Sequence, residues 1–131
     1  MTLDPFHWDG PPLSTVSVEA MGHYRHGIAA LVSGIANAEQ SLHAAIDIDD
    51  GFFLAHVGLA VSRVVDGEPF VPWALPTSGL GRGERQHAEI VLTMLTGDRR
   101  HAGDLRREHL LEFPGDLLIV WLPALHADVG A

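Results

Sequence analysis

NAEQSLHAAIDIDDGFFLAHVGLAVSRVVDG, residues 37–67, decides the fold. In its first half the apolar Ala38, Leu42, Ala45 and Ile46 recur at helical spacing, with Asn37, Glu39, Gln40 and Asp47 on the other faces. In its second half Phe53, Val57, Ala60, Val61 and Val64 form one stripe. Asp49, Asp50 and Gly51 separate the two halves, with Gly51 free to take a positive φ and an Asp able to cap the new helix. Small alanines at 38, 45, 55 and 60 allow a close approach of the two helices. The stretch predicts an antiparallel helical hairpin over 37–66.

Working outward toward the N-terminus, Val18, Met21, Tyr24, Ile28, Leu31 and Ile35 predict a helix that starts near Thr15 or Ser17 and ends near Ser33 and Gly34. Residues 1–15 hold Pro5, Gly10, Pro11 and Pro12 and read as an extended arm, with Phe6 and Trp8 expected to pin it to the helices. On the other side, residues 68–82 form a loop rich in proline and glycine, with room for one short turn around Val71 to Leu75. A second hairpin follows over 84–113. Its first helix opens at Gly81 with Glu84 as half of a capping box and buries Ala88, Val91, Leu92 and Leu95. Its second helix has the stripe Ala102, Leu105, His109 and Phe113 and stops at Pro114 and Gly115. The last segment, DLLIVWLPALHADV, is apolar nearly all round, and Pro123 should kink it. The expected fold is all-α: about six helices in antiparallel hairpins, stacked as a short solenoid in one domain spanning 1–131.

Composition narrows the function classes. The chain has no cysteine, so it has neither a disulfide framework nor thiol chemistry, and its start lacks the pattern of a secretory signal; a cytoplasmic protein is expected. No apolar run reaches transmembrane length. The net charge of −9 disfavours a nucleic-acid backbone or an anionic membrane as partner. Every cation is arginine, and Arg82, Arg85, Arg99, Arg100, Arg106 and Arg107 cluster in the C-terminal half.

Four segments carry a resemblance: Leu13 to Ala20 (LSTVSVEA), Asp49 to His56 (DDGFFLAH), Gly83 to Glu89 (GERQHAE) and Glu112 to Trp121 (EFPGDLLIVW). In that order they resemble the N-terminal third of the tetratricopeptide repeat protein 38 family. Ala38 and Ala45 fall where a tetratricopeptide repeat has its small residues, and Leu59-Ala60 where it has Leu-Gly. In the family a helix lies where this chain has the proline-rich loop, and further repeats follow where this chain ends. The resemblance implies an all-helical repeat fold and lends no activity.

Nine histidines raise metal and acid-base chemistry. Glu19, His23 and His26 stand at i, i+4, i+7 with zinc-compatible donor types, although an exposed polar face explains the same residues. Glu84 and His87 make a single E-x-x-H, the spacing that di-iron bundles use twice. His87 and His56 also fit as satisfied core histidines. His43 and Asp47, at i, i+4, have the spacing of an oriented base. DIDDG opens like a calcium loop, but Gly58 stands where the bidentate Glu belongs. GLGRG has neither the preceding strand nor the Gly-Lys-Ser/Thr of a phosphate loop; the helix start near Gly83, between Arg82 and Arg85, has the amides to hold a small anion. No cofactor or metal is expected.

Two functions follow. The first is a non-enzymatic protein-binding module that self-associates as a homodimer through its C-terminal apolar helix, with Leu117, Leu118, Ile119, Trp121 and Leu122 at the interface. The second is a cleft between the hairpins, lined by Tyr24, His56, Trp73 and His87, that takes a small apolar ligand with His56 or His87 as acid or base.

Overall fold

The computed structural model describes residues 13, 15, 17–35, 37–71 and 79–122. Phe6 and Trp8, the turn around Trp73 and the kink at Pro123 lie outside them. The described residues form an all-α fold, without a strand, and the packing of the helices is consistent with a helical-repeat-like arrangement. The helices are α1 (Val18–Ser33), α2 (Ala38–Ile48), α3 (Phe53–Val65), α4 (Arg82–Leu95) and α5 (Arg99–Glu112), followed by α6 over residues 117–122. None of them is long and apolar enough to cross a membrane.

The start of α1 is fixed by Ser17, whose hydroxyl accepts from the Ala20 amide at 3.0 Å, and its end by Gly34, which takes φ 71°. Gly34 donates to the carbonyls of Ala30 and Leu31, and the chain reverses into α2. The α1 face turned inward is Ala20, Tyr24, Gly27, Ile28, Ala30 and Leu31. Val18 and Ile35, at the two ends of the expected stripe, are exposed instead.

The α2–α3 hairpin forms as expected, with a different turn. Gly51 keeps a negative-φ conformation, and Asp49 Oδ1 accepts the Gly51 amide at 3.1 Å, so the aspartate shapes the turn and does not cap α3. Close approach is delivered by glycines. Gly27 of α1 and Gly58 of α3 both lie against Leu42 of α2: a Cβ on Gly27 would stand 2.8 Å from Leu42 Cγ, and one on Gly58 3.2 Å from Leu42 Cδ2. Leu42 is the knob that two neighbouring helices close on. Because α3 packs on α1, α2 and α4, its buried arc is wide: it takes in Leu54, Ala55, Val57, Gly58, Leu59, Val61 and Ser62, and leaves Phe53, Ala60 and Val64 at the edges.

The second hairpin pairs α4 with α5, joined by a turn at Gly97 (φ 102°) and capped by Asp98, whose carboxylate accepts the His101 amide. Gly81 is the N-cap of α4, without a side-chain bond. The α4 face that packs inward is rotated from the expected stripe. Gly83, Glu84, His87, Ala88, Ile90, Val91 and Met94 are buried, while Leu92 and Leu95 are half-buried. The rotation carries two ionisable side chains into the interior.

Candidate functional site

Three elements converge behind α6. On α4, Glu84 and His87 stand one turn apart on the inner face. On α5, His109 occupies the last turn of a stripe that starts at Ala102. After α5 ends at Glu112, the Pro114-Gly115 turn delivers Asp116, whose carbonyl accepts the Val120 amide and so opens α6. Asp116 is therefore at the N-cap position, where an aspartate ordinarily bonds the amides of the first turn. Here its carboxylate faces two imidazoles. Oδ2 accepts from His87 Nδ1 at 2.8 Å and from His109 Nε2 at 2.7 Å, and His109 Nδ1 meets Gln86 Oε1 at 2.9 Å. A carboxylate only accepts, so the two contacts to Oδ2 need the proton on His87 Nδ1 and on His109 Nε2.

His87 and Asp116 have no exposed surface and His109 almost none. Burial alone would push the Asp116 carboxyl up. The His87 charge, the hydrogen bonds from His109 and His87, and the His109 charge outweigh it and hold the group far below the usual carboxylate range. The neighbouring Tyr24 phenol is pushed well above its ordinary value, first by burial and then by the Asp116 and Glu84 carboxylates. The ring of Tyr24 lies 5.1 Å from that of Phe52, and that of Phe113 5.2 Å from that of His109. Two buried atoms of the cluster, His87 Nε2 and Asp116 Oδ1, have no hydrogen-bond partner among the described residues.

The residues chosen from sequence fall in separate places. Tyr24 and His87 are buried in the interior, Trp73 lies outside the described residues, and His56 is exposed, its Nε2 at 2.8 Å from the Asp50 carbonyl. His56 lines a hollow of about 180 Å³ with Leu59, Ala60, Arg63, Pro69 and Val71 that does not include His87. His56 and His87 thus share no described cavity, because α4 turns His87 inward while α3 turns His56 to solvent. Glu19 and His26 are exposed and His23 is half-buried. Among the described residues, the group of three with donor atoms in metal-ligand range is His87, His109 and Asp116, all within 4.8 Å, and Glu19, His23 and His26 form no such group. His43 pairs with Glu39 at 3.6 Å rather than with Asp47. At the α4 start, Arg82 forms an ion pair with Glu112.

At α6 the apolar residues divide. Leu118, Ile119 and Leu122 are fully buried in this chain's own core, Trp121 is half-buried, and Leu117 and Val120 are 40% and 45% exposed. Arg106 of α5 fastens the helix from outside, donating to the carbonyls of Ile119 at 2.9 Å and Val120 at 3.1 Å. A second hollow, of about 470 Å³, opens between the α1–α2 turn and the end of α3, bordered by Leu31, Ile35, Gln40 and Val65 among others.

His109 and Asp116 belong to this cluster, and neither was among the site residues that sequence reasoning chose. The available signal was His109 at a core position of α5, which needs a buried acceptor, and an aspartate just past the Pro-Gly stop. No family model matches the chain, and neither a curated protein nor a solved structure matches it.

Proposed function

We propose that the chain is a small helical-repeat module of the tetratricopeptide kind, akin to the start of the tetratricopeptide repeat protein 38 family, that binds protein and self-associates as a dimer. The observation that supports this reading is the outer face of α6. With Leu118, Ile119 and Leu122 turned into the chain's own core, Leu117, Val120 and Trp121 remain at i, i+3, i+4 on the opposite side, half-buried or exposed. Exposed Leu111, at 87%, stands near the end of the preceding helix. A helix apolar on both sides is the mark of an inner layer, covered on each side by another helix. A second copy related by a two-fold axis covers it with the same residues from the other side.

This division refines which residues make contact. Leu117, Val120 and Trp121 face the second copy, whereas Leu118, Ile119 and Leu122 position the helix. Native mass spectrometry near neutral pH tests the reading. The wild-type chain is expected as a dimer and the Leu117→Glu, Val120→Glu double variant as a folded monomer. A wild-type monomer, or a dimer indifferent to both substitutions, overturns it.

A further inference from the structure

We propose that His87, His109 and Asp116 form a binding site for a divalent transition metal of the zinc class, which ties the α4–α5 hairpin to the start of α6. The donors are the ones such an ion takes: two imidazole nitrogens and a carboxylate, from three separate elements, with donor atoms within 4.8 Å of one another. They are preset in the way metal ligands are. His109 points Nε2 into the cluster because its other nitrogen is held by Gln86 Oε1 at 2.9 Å, the outer contact that orients a ligating imidazole.

The independent observation is an orphaned atom: the Asp116 carboxylate, sealed from water, keeps its Oδ1 without a donor among the described residues. Buried polar atoms of native proteins are paired, and those that stand alone mark an ion or a water that completes them. A divalent ion in place of the protons on His87 Nδ1 and His109 Nε2 gives the carboxylate a cation that either oxygen can reach.

Donor atoms around a tetrahedral zinc lie roughly 3.3 Å apart at bond lengths of about 2.0–2.1 Å. The nitrogen–oxygen separations here are 2.7 and 2.8 Å and every donor pair lies within 4.8 Å, so loading asks the Asp116 carboxylate to withdraw by about half an ångström and the two imidazole nitrogens to settle at the same spacing.

Titration of the chelator-stripped chain with Co2+ tests the site. The expected result is one Co2+ per chain with the visible ligand-field bands of a tetrahedral ion, displaced by Zn2+. His109→Gln and Asp116→Asn should abolish the bands, Gln86→Ala should weaken binding roughly 10–100-fold, and the surface double variant His23→Asn, His26→Asn should leave it unchanged. Absence of bands in the wild type overturns the proposal, as does their survival in His109→Gln and Asp116→Asn or their loss in the surface variant. Should the two buried variants fail to fold, X-ray absorption of the Zn2+-loaded wild type decides: two imidazoles in the coordination sphere support the site, and any other number overturns it.

Discussion

Asp116 stands where a helix cap belongs, but its carboxylate closes a contact between two helices instead. Removing its charge leaves His87 and His109 donating into a site without an anion. Breaking one partner of a buried ion pair costs roughly 3–5 kcal/mol. For the metal-free chain, Asp116→Asn is therefore expected to lower the free energy of unfolding by about 3 kcal/mol near neutral pH, read from urea denaturation. The pH dependence has a definite sign. The folded carboxyl titrates far below the unfolded value of about 3.9. Its contribution is thus fully present above that unfolded value and is lost as the pH falls through the folded one. Asp116→Asn should flatten this acid limb, so wild type and variant converge toward strongly acidic pH; a constant difference between them would show that Asp116 acts by shape and not by charge. The contact was hard to read from sequence because His87 and Asp116 are 29 positions apart and only the packing of α4 on α5 and α6 joins them. His87 was legible as a satisfied core histidine, as it is, but the partner that satisfies it was not, since nothing near it in sequence points to Asp116.

At the scale of elements, most boundaries were legible because each carries a local reason: Ser17 caps α1, Gly34 ends it in the left-handed region, and Pro114 with Gly115 follows α5. The faces were less so. Hydrophobic spacing found α2, with one packed side, and misjudged α3 and α4, whose buried arcs include Gly58, Ser62, Gly83 and Glu84. Gly58 there is a contact point, as Gly27 is on α1, and this gives a paired prediction. Alanine is worth about 1 kcal/mol over glycine in a helix interior, while overpacking costs about 1–3 kcal/mol. At Gly103 of α5 nothing lies within 4 Å of a new Cβ, so Gly103→Ala should stabilise by about 1 kcal/mol. At Gly27 the new Cβ would meet Leu42 Cγ at 2.8 Å and the Ala38 carbonyl oxygen at 3.3 Å, a branch point and a backbone atom that have little room to yield. Gly27→Ala should therefore destabilise by about 1–2 kcal/mol net. Thermal melts of the two variants give shifts of opposite sign if Leu42 is the wedge between helices, and of the same sign if propensity alone governs.

At the scale of the whole molecule, the helices sort into two packed groups. In one, α1 and α3 close on α2 through Leu42; in the other, α4, α5 and α6 meet at His87, His109 and Asp116, and α3 touches α4 more sparingly than the helices within each hairpin touch one another. Regions with fewer mutual contacts open separately. The second group has a further dependency, since α6 is held at its start by Asp116 and along its carbonyls by Arg106. Replacing Arg106 by Met keeps much of the aliphatic stem and removes both donations, each to a carbonyl of α6. Hydrogen bonds from a charged donor contribute about 1.5–3 kcal/mol when buried and less where solvent reaches them, as it does at Val120. Arg106→Met should thus raise amide hydrogen exchange across 117–122 by roughly tenfold, equivalent to about 1.4 kcal/mol, and leave α1 to α3 unchanged. Because the outer face of α6 is presented only while the helix is docked, the same variant should weaken the dimer although it alters none of Leu117, Val120 or Trp121. Faster exchange confined to 117–122 together with an unweakened dimer would place the interface elsewhere, and faster exchange reaching α1 to α3 would show that the two groups unfold as one.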